Sequence, residues 1–252
     1  MARAGDLRID PQARPGDGRR DARNVQHGAR DDRGHGSGRG AEWRDGGGRG
    51  GSADRPRPGI DPLKIGICVS GRGTNLRNLV DRRFEVVAVA TNRPSCGGAA
   101  LAREKGIPLA ELSQRSFDSV DERDVAMRDF FLQHHVELVV DAGYDRIHAK
   151  PFLDAFAGRI INVHPSLLPE FAGGMDAIEQ AFSSGASRTG ATVHIVTAEL
   201  DAGPILLQEA VQILEGDTVE TLRQRVHEAE YRILPQAIRL MEARLADSTS
   251  VR

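Results

Sequence analysis

Between residues 63 and 164, short apolar runs alternate with stretches of helical period, and this alternation limits the fold more than any other feature of the chain. The runs cover residues 64–69, 85–91, 108–112, 136–140 and 160–164. Most are rich in Val and Ile, and each is too short for a globular helix. Helical stretches follow the first run through Leu79 and occupy residues 98–105 and 119–135, with Gly106 placed to end the second of these. Strands that are apolar along their whole length are buried on both faces, which happens where helices cover a parallel sheet. The expected fold is α/β, a doubly wound and mostly parallel sheet. Runs at 192–197 and 204–208 are too close for a helical crossover, so this C-terminal edge is expected to be mixed, with an antiparallel pair or a sharp reversal. A long amphipathic helix over 218–244, bent at Pro235, closes the chain.

Residues 1–60 follow a different pattern. They hold thirteen Arg against nine acids and half of the 28 glycines, with only scattered apolar residues. Such a segment cannot bury enough apolar surface to offset chain entropy, so the expected organisation is a disordered extension (1–60), read either as non-native or as a functional tail, before one catalytic domain (61–252). An Arg/Gly segment can bind RNA, but only Trp43 is present for stacking, and the formal net charge of the whole chain is −2. Nucleic acid is therefore not expected as a partner. No apolar run reaches 18 residues, and two cysteines cannot build a disulfide framework. A cytoplasmic protein with no membrane partner is expected.

Three constellations can carry chemistry. Gly71-Arg-Gly-Thr-Asn75 lies directly after the first strand and opens a helix, where backbone N–H groups can hold a phosphate; the plain alternative is a tight turn with a helix cap. It is not a dinucleotide fingerprint, because Asn92 stands where an acid would read the ribose. Asn162 and His164 are two residues apart on a strand and share a face at its C-terminal end, where open α/β sheets bind ligands. They can polarise a carbonyl and move a proton, or they can be packing residues at a strand end. Asp201 lies two residues before Gly203-Pro204 in a turn, and only proximity to His164 would give it a further role. His194 reads as a packing residue on a strand. No Cys/His spacing signals zinc, so no metal is expected.

These motifs together resemble the phosphoribosylglycinamide formyltransferases. The matching segments include Val69-Ser-Gly-Arg-Gly-Thr-Asn-Leu76, Ala142-Gly-Tyr-Asp-Arg-Ile147, Ile161-Asn-Val-His-Pro-Ser-Leu-Leu-Pro169 and Leu200-Asp-Ala-Gly-Pro204. The resemblance implies a Rossmann-like formyltransferase fold. It also implies formyl transfer from the cosubstrate 10-formyltetrahydrofolate to the amine of glycinamide ribonucleotide in purine synthesis, by a monomer or homodimer. It assigns catalysis to Asn162, His164 and Asp201, and the substrate phosphate to Gly73, Thr74 and Asn75. It assigns the folate pocket to Asp145, Arg146, Ile147, His148 and Asn162, and a substrate contact to Glu230. Formyltetrahydrofolate deformylase, a hydrolase with similar motifs, is the alternative. The chain departs from the family pattern at Val120, where a folate-contacting Arg is common, at Ala172-Gly-Gly-Met175, and at Asp141, Asp145 and His148, where apolar residues are common.

Overall fold

The computed structural model describes residues 62–174 and 176–249; the expectation for residues 1–60 lies outside them. The elements run β1 (Ile65–Cys68), α1 (Thr74–Asp81), β2 (Val86–Thr91), α2 (Gly97–Glu104), β3 (Leu109–Glu111), α3 (Val120–Gln133), β4 (Leu138–Asp141), α4 (Lys150–Ala155), β5 (Ile160–His164), α5 (Ala177–Ser183), β6 (Arg188–Ile195), β7 (Ile205–Gln212) and α6 (Val219–Thr249). The strands form one sheet in the order β3-β2-β1-β4-β5-β6-β7. The first five in that order are parallel, and β6 and β7 are antiparallel to their neighbours, as expected for a mixed C-terminal edge. β6 begins four residues before the apolar run that signalled it, because Arg188 to Ala191 pair fully with β7.

Both faces of the sheet are covered. Ile65, Ile67, Leu138 and Val140 pack in one apolar layer with Leu76, Val226, Ile233 and Leu234. Cys68 and Val139 pack in the other with Met127, Phe131, Phe152 and Phe156. Neighbouring residues of β1 and β4 thus enter opposite layers, which is why their sequences are apolar throughout. α4 and α5 carried no usable period in the sequence because each is under two turns long.

α6 passes through Pro235 without a break in its assignment. Proline has no N–H to give the carbonyl four residues back. Here that carbonyl belongs to Tyr231, and Asn78 Nδ2 donates to it at 3.1 Å. A side chain of α1 thus replaces the missing helix bond and ties α6 to the start of the sheet. Among the described residues no helix is long and apolar enough to cross a membrane.

The chain winds outward in both directions from β1 and β4, so the loops after these two neighbours diverge and leave a crevice above their C-terminal ends. The crevice has a volume of about 570 Å³.

Candidate active site

One wall of the cleft is the loop from β1 into α1. Gly73 caps α1 with φ 75°, a left-handed conformation that favours glycine. A side chain there would also strike Gly98 of α2, whose Cα would lie 2.5 Å from the added carbon. The close approach fixes where the α1 N-terminus points. No side chain caps that end, and its first turn holds no acid, so its N–H groups stay available. Asn75 Nδ2 donates to Glu230 Oε2 at 2.9 Å, and His227 Nδ1 lies 3.2 Å from the same oxygen. These bonds join the loop to α6.

The loop after β4 forms the second wall. Asp145 is held on several sides: its N–H donates to Ser70 Oγ at 3.0 Å, Asn92 Nδ2 donates to its carboxylate at 2.7 Å, and Arg93 forms an ion pair with it. Arg146 is half-exposed and Ile147 is 65% exposed at the rim. His148 turns its ring inward, where Nε2 lies 3.0 Å from both oxygens of Asp141. Burial pushes the His148 imidazole down, but the carboxylates of Asp141 and Asp124 outweigh this and hold it up at about 9. Behind the loop, Arg123 and Asp124 form a fully buried pair at 2.6 Å. Arg123 donates to the Ile147 carbonyl at 3.2 Å, and Asp124 accepts from the Ala149 N–H.

The third wall carries the polar residues. Asn162 and His164 project from the end of β5, and the antiparallel register places His194 of β6 opposite Asn162. Asp201 sits in the β6–β7 turn with φ 53°, a left-handed backbone that few non-glycine residues adopt. Its Oδ2 accepts from the Gly173 N–H at 2.8 Å and lies 3.5 Å from His164 Nδ1. Its Oδ1 lies 3.5 Å from His194 Nε2. Burial pushes the Asp201 carboxyl up, but hydrogen bonds from His194 and Gly173 and the attraction of the two imidazoles prevail, and it stays below its ordinary value of 3.8. His164 Nε2 lies 3.1 Å from the Phe171 carbonyl. Each ring nitrogen of His164 therefore faces an oxygen acceptor, an arrangement satisfied when both carry a proton.

His194 is the residue that sequence reasoning misplaced. Its ring is part of the site, with Nε2 3.2 Å from Asn162 Nδ2. That nitrogen can accept from the amide or donate to Asp201, but not both, so His194 couples the two. Its signal was available only after pairing: Asn162 and His194 face each other across a strand pair that the sequence does not register. His227 was also missed, though its i, i+3 spacing to Glu230 on an amphipathic helix pointed to it. Every residue expected in the site lines the one cleft: Gly73, Thr74 and Asn75, the 145–148 segment, Asn162, His164, Asp201 and Glu230. Val120 starts α3, is 44% exposed and does not reach the cleft.

A doubly wound sheet with a glycine loop at its switch point, and an amide, two imidazoles and a carboxylate lining the crevice, is the layout of an α/β enzyme that works on a polar substrate. The formyl transferase family model matches residues 63–238. The chain is 39% identical over 186 residues to the phosphoribosylglycinamide formyltransferase of Mycobacterium tuberculosis (strain H37Rv), covering 72% of this chain and 86% of that one. It is 40% identical over 185 residues to the trifunctional purine biosynthetic protein adenosine-3 of Gallus gallus, covering 71% of this chain. It spans only 18% of that relative's length. A crystal structure of glycinamide ribonucleotide transformylase 1 from Symbiobacterium toebii superposes with a TM-score of 0.70 at 41% identity, covering 72% of this chain and 88% of that one. The chain belongs to the formyl transferase family.

Proposed function

We propose that this protein transfers the formyl group of 10-formyltetrahydrofolate to the amine of glycinamide ribonucleotide, a step of purine synthesis. The observation that carries the reading is the meeting of Asn162, His164 and Asp201 from two separated segments beside the loop that opens α1.

Gly73, Thr74 and Asn75 would hold the substrate phosphate on the uncapped N–H groups of α1, where the helix end favours an anion. Glu230, already fixed by Asn75 and His227, would face the ribonucleotide side of the cleft. The 145–148 segment would line the pterin pocket through its backbone, since the Asp145 carboxylate is engaged by Asn92 and Arg93 and the His148 ring by Asp141. Asn162 would close the same pocket.

As the amine attacks the formyl carbon, negative charge grows on the formyl oxygen. The Asn162 amide and the doubly protonated His164 ring would donate to it, and losing one such donor typically costs about 3–4 kcal/mol of transition-state stabilisation. Asp201 would orient His164 and keep its charge, and would position a water that relays the amine proton to the folate nitrogen. For His164 Nε2 to reach the formyl oxygen, the Phe171 carbonyl must release it, so the 171–174 loop shifts on binding. No covalent intermediate with the protein is required.

The direct test is incubation with 10-formyltetrahydrofolate, with and without glycinamide ribonucleotide. Folate turnover only when the amine is present is the expected result. Equal turnover without it would replace the transferase by a hydrolase.

A further inference from the structure

Cys68 ends β1, Asp141 ends β4, and His148 closes the loop before α4. Nothing in their spacing links them, yet the fold brings the thiol sulfur, a carboxylate oxygen and a ring nitrogen within 4.8 Å of one another. All three side chains are buried. Thiolate, imidazole and carboxylate are the donor types that zinc takes, and three protein donors leave a fourth position for water.

The surroundings of His148 give a second, independent indication. Its Nε2 points at Asp141, while Nδ1 has no hydrogen-bond partner among the described residues and faces Asp124 Oδ2 at 3.8 Å. Asp124 is itself fixed by Arg123 and the Ala149 N–H. The held Asp124 carboxylate stands just beyond hydrogen-bond reach of that nitrogen, where a small shift of the ring would make it the outer-shell partner of a metal-ligating imidazole. Charge also balances: a divalent ion between one thiolate, one carboxylate and a neutral imidazole leaves the set neutral, as burial requires. Asp141 and His148 line the cleft, so an ion has a way in.

We propose that Cys68, Asp141 and His148 form a three-donor site for a zinc-class divalent ion beneath the 143–148 loop. The ion clamps the ends of β1 and β4 to that loop and so fixes one wall of the cleft. The site is independent of which formyl acceptor the protein uses.

The test is a cobalt(II) chloride titration of the full chain, stripped with chelator and kept reduced. The expected result is one equivalent bound, a near-ultraviolet thiolate-to-cobalt band, and loss of that band on adding zinc. Cys68→Ala should abolish the band. The double variant Asp141→Leu, His148→Leu should bind at least about 100-fold more weakly, and Asp124→Asn about 10–100-fold more weakly through the outer partner. His27 and His35 remain in every variant, so binding at the N-terminal segment would survive the double substitution. Absence of the band in the wild type, or its survival in Cys68→Ala, overturns the proposal and leaves a plain buried ion pair beside a thiol. Cys68→Ala removes one atom from a packed position, so its result decides the matter even if the double variant fails to fold.

Discussion

Two histidine–carboxylate pairs line one cleft and are similarly buried, yet they differ in spacing and in what surrounds them. His148 and Asp141 are 3.0 Å apart, with the ring turned inward against Arg123 and Asp124 behind it. His164 and Asp201 are 3.5 Å apart, beside an amide, a second imidazole and a loop carbonyl. The inner pair is tight and strengthens a wall. The outer pair is loose, shares its carboxylate between two rings, and faces space that a substrate can fill. A histidine beside a carboxylate does not define a catalytic group; its role depends on what else the ring and the carboxylate must satisfy.

Several experiments can break or sharpen this contrast. The largest effect is expected at the outer pair: Asp201→Asn should lower formyl transfer by about 100-fold or more while binding of glycinamide ribonucleotide persists, read by steady-state kinetics and calorimetry. Turnover like the wild type would remove Asp201 from the mechanism. The inner pair should respond in stability instead. In chelator, His148→Leu alone should cost about 3–5 kcal/mol in urea unfolding, because it leaves the buried Asp141 carboxylate without its partner, whereas Asp141→Leu should cost less because His148 keeps Asp124 at 3.8 Å. The double leucine variant should recover most of that loss, since an apolar pair replaces a buried ion pair at little or no cost. A double variant as unstable as His148→Leu would mean that the pair is not the relevant unit.

His194→Gln should have a smaller effect on turnover, about 5–10-fold, the equivalent of one net hydrogen bond. Away from both pairs, Asn78→Ala should cost about 1 kcal/mol by leaving the part-buried Tyr231 carbonyl without its donor. The smallest effect concerns acid. The folded Asp201 carboxyl lies below its ordinary value of 3.8, so its ionisation stabilises the fold above that pH. This stabilisation is lost as pH falls below 3.8 toward the depressed folded value. Urea midpoints followed from pH 5 to pH 2 should fall less steeply in Asp201→Asn than in the wild type.

The members of the outer pair stood out in the sequence, though their meeting did not, and the members of the inner pair did not stand out at all. Asn162 and His164 sit on a strand of period two between proline-bounded segments, and Asp201 sits in a short turn between two apolar runs. Asn162 and His164 stand in a local pattern that marks a strand end, while Asp201 by itself reads as a turn residue and gains its role only beside His164. The five parallel strands were legible because burial on both faces leaves unbroken apolar runs. α4 and α5 were not, since a helix of six or seven residues makes too few turns to show a period. Cys68, Asp141 and His148 each looked ordinary in place, one as a small hydrophobe and two as departures from an apolar pattern. His194 looked like packing until pairing set it against Asn162.

The sequence by itself determined the doubly wound sheet, its antiparallel edge, the loop that opens α1 and the identity of the polar residues at the end of β5. These are local matters of periodicity, turn chemistry and burial, and each is written within a few consecutive residues. Only the tertiary structure decided which histidine meets which carboxylate, that Asn78 completes α6 at Pro235, and that a thiol, a carboxylate and an imidazole converge beneath the cleft loop. Those facts depend on strand order and register, and they join residues from 7 to 153 apart in the chain. Such distances are fixed by the packing of the whole sheet, which no local stretch of sequence encodes.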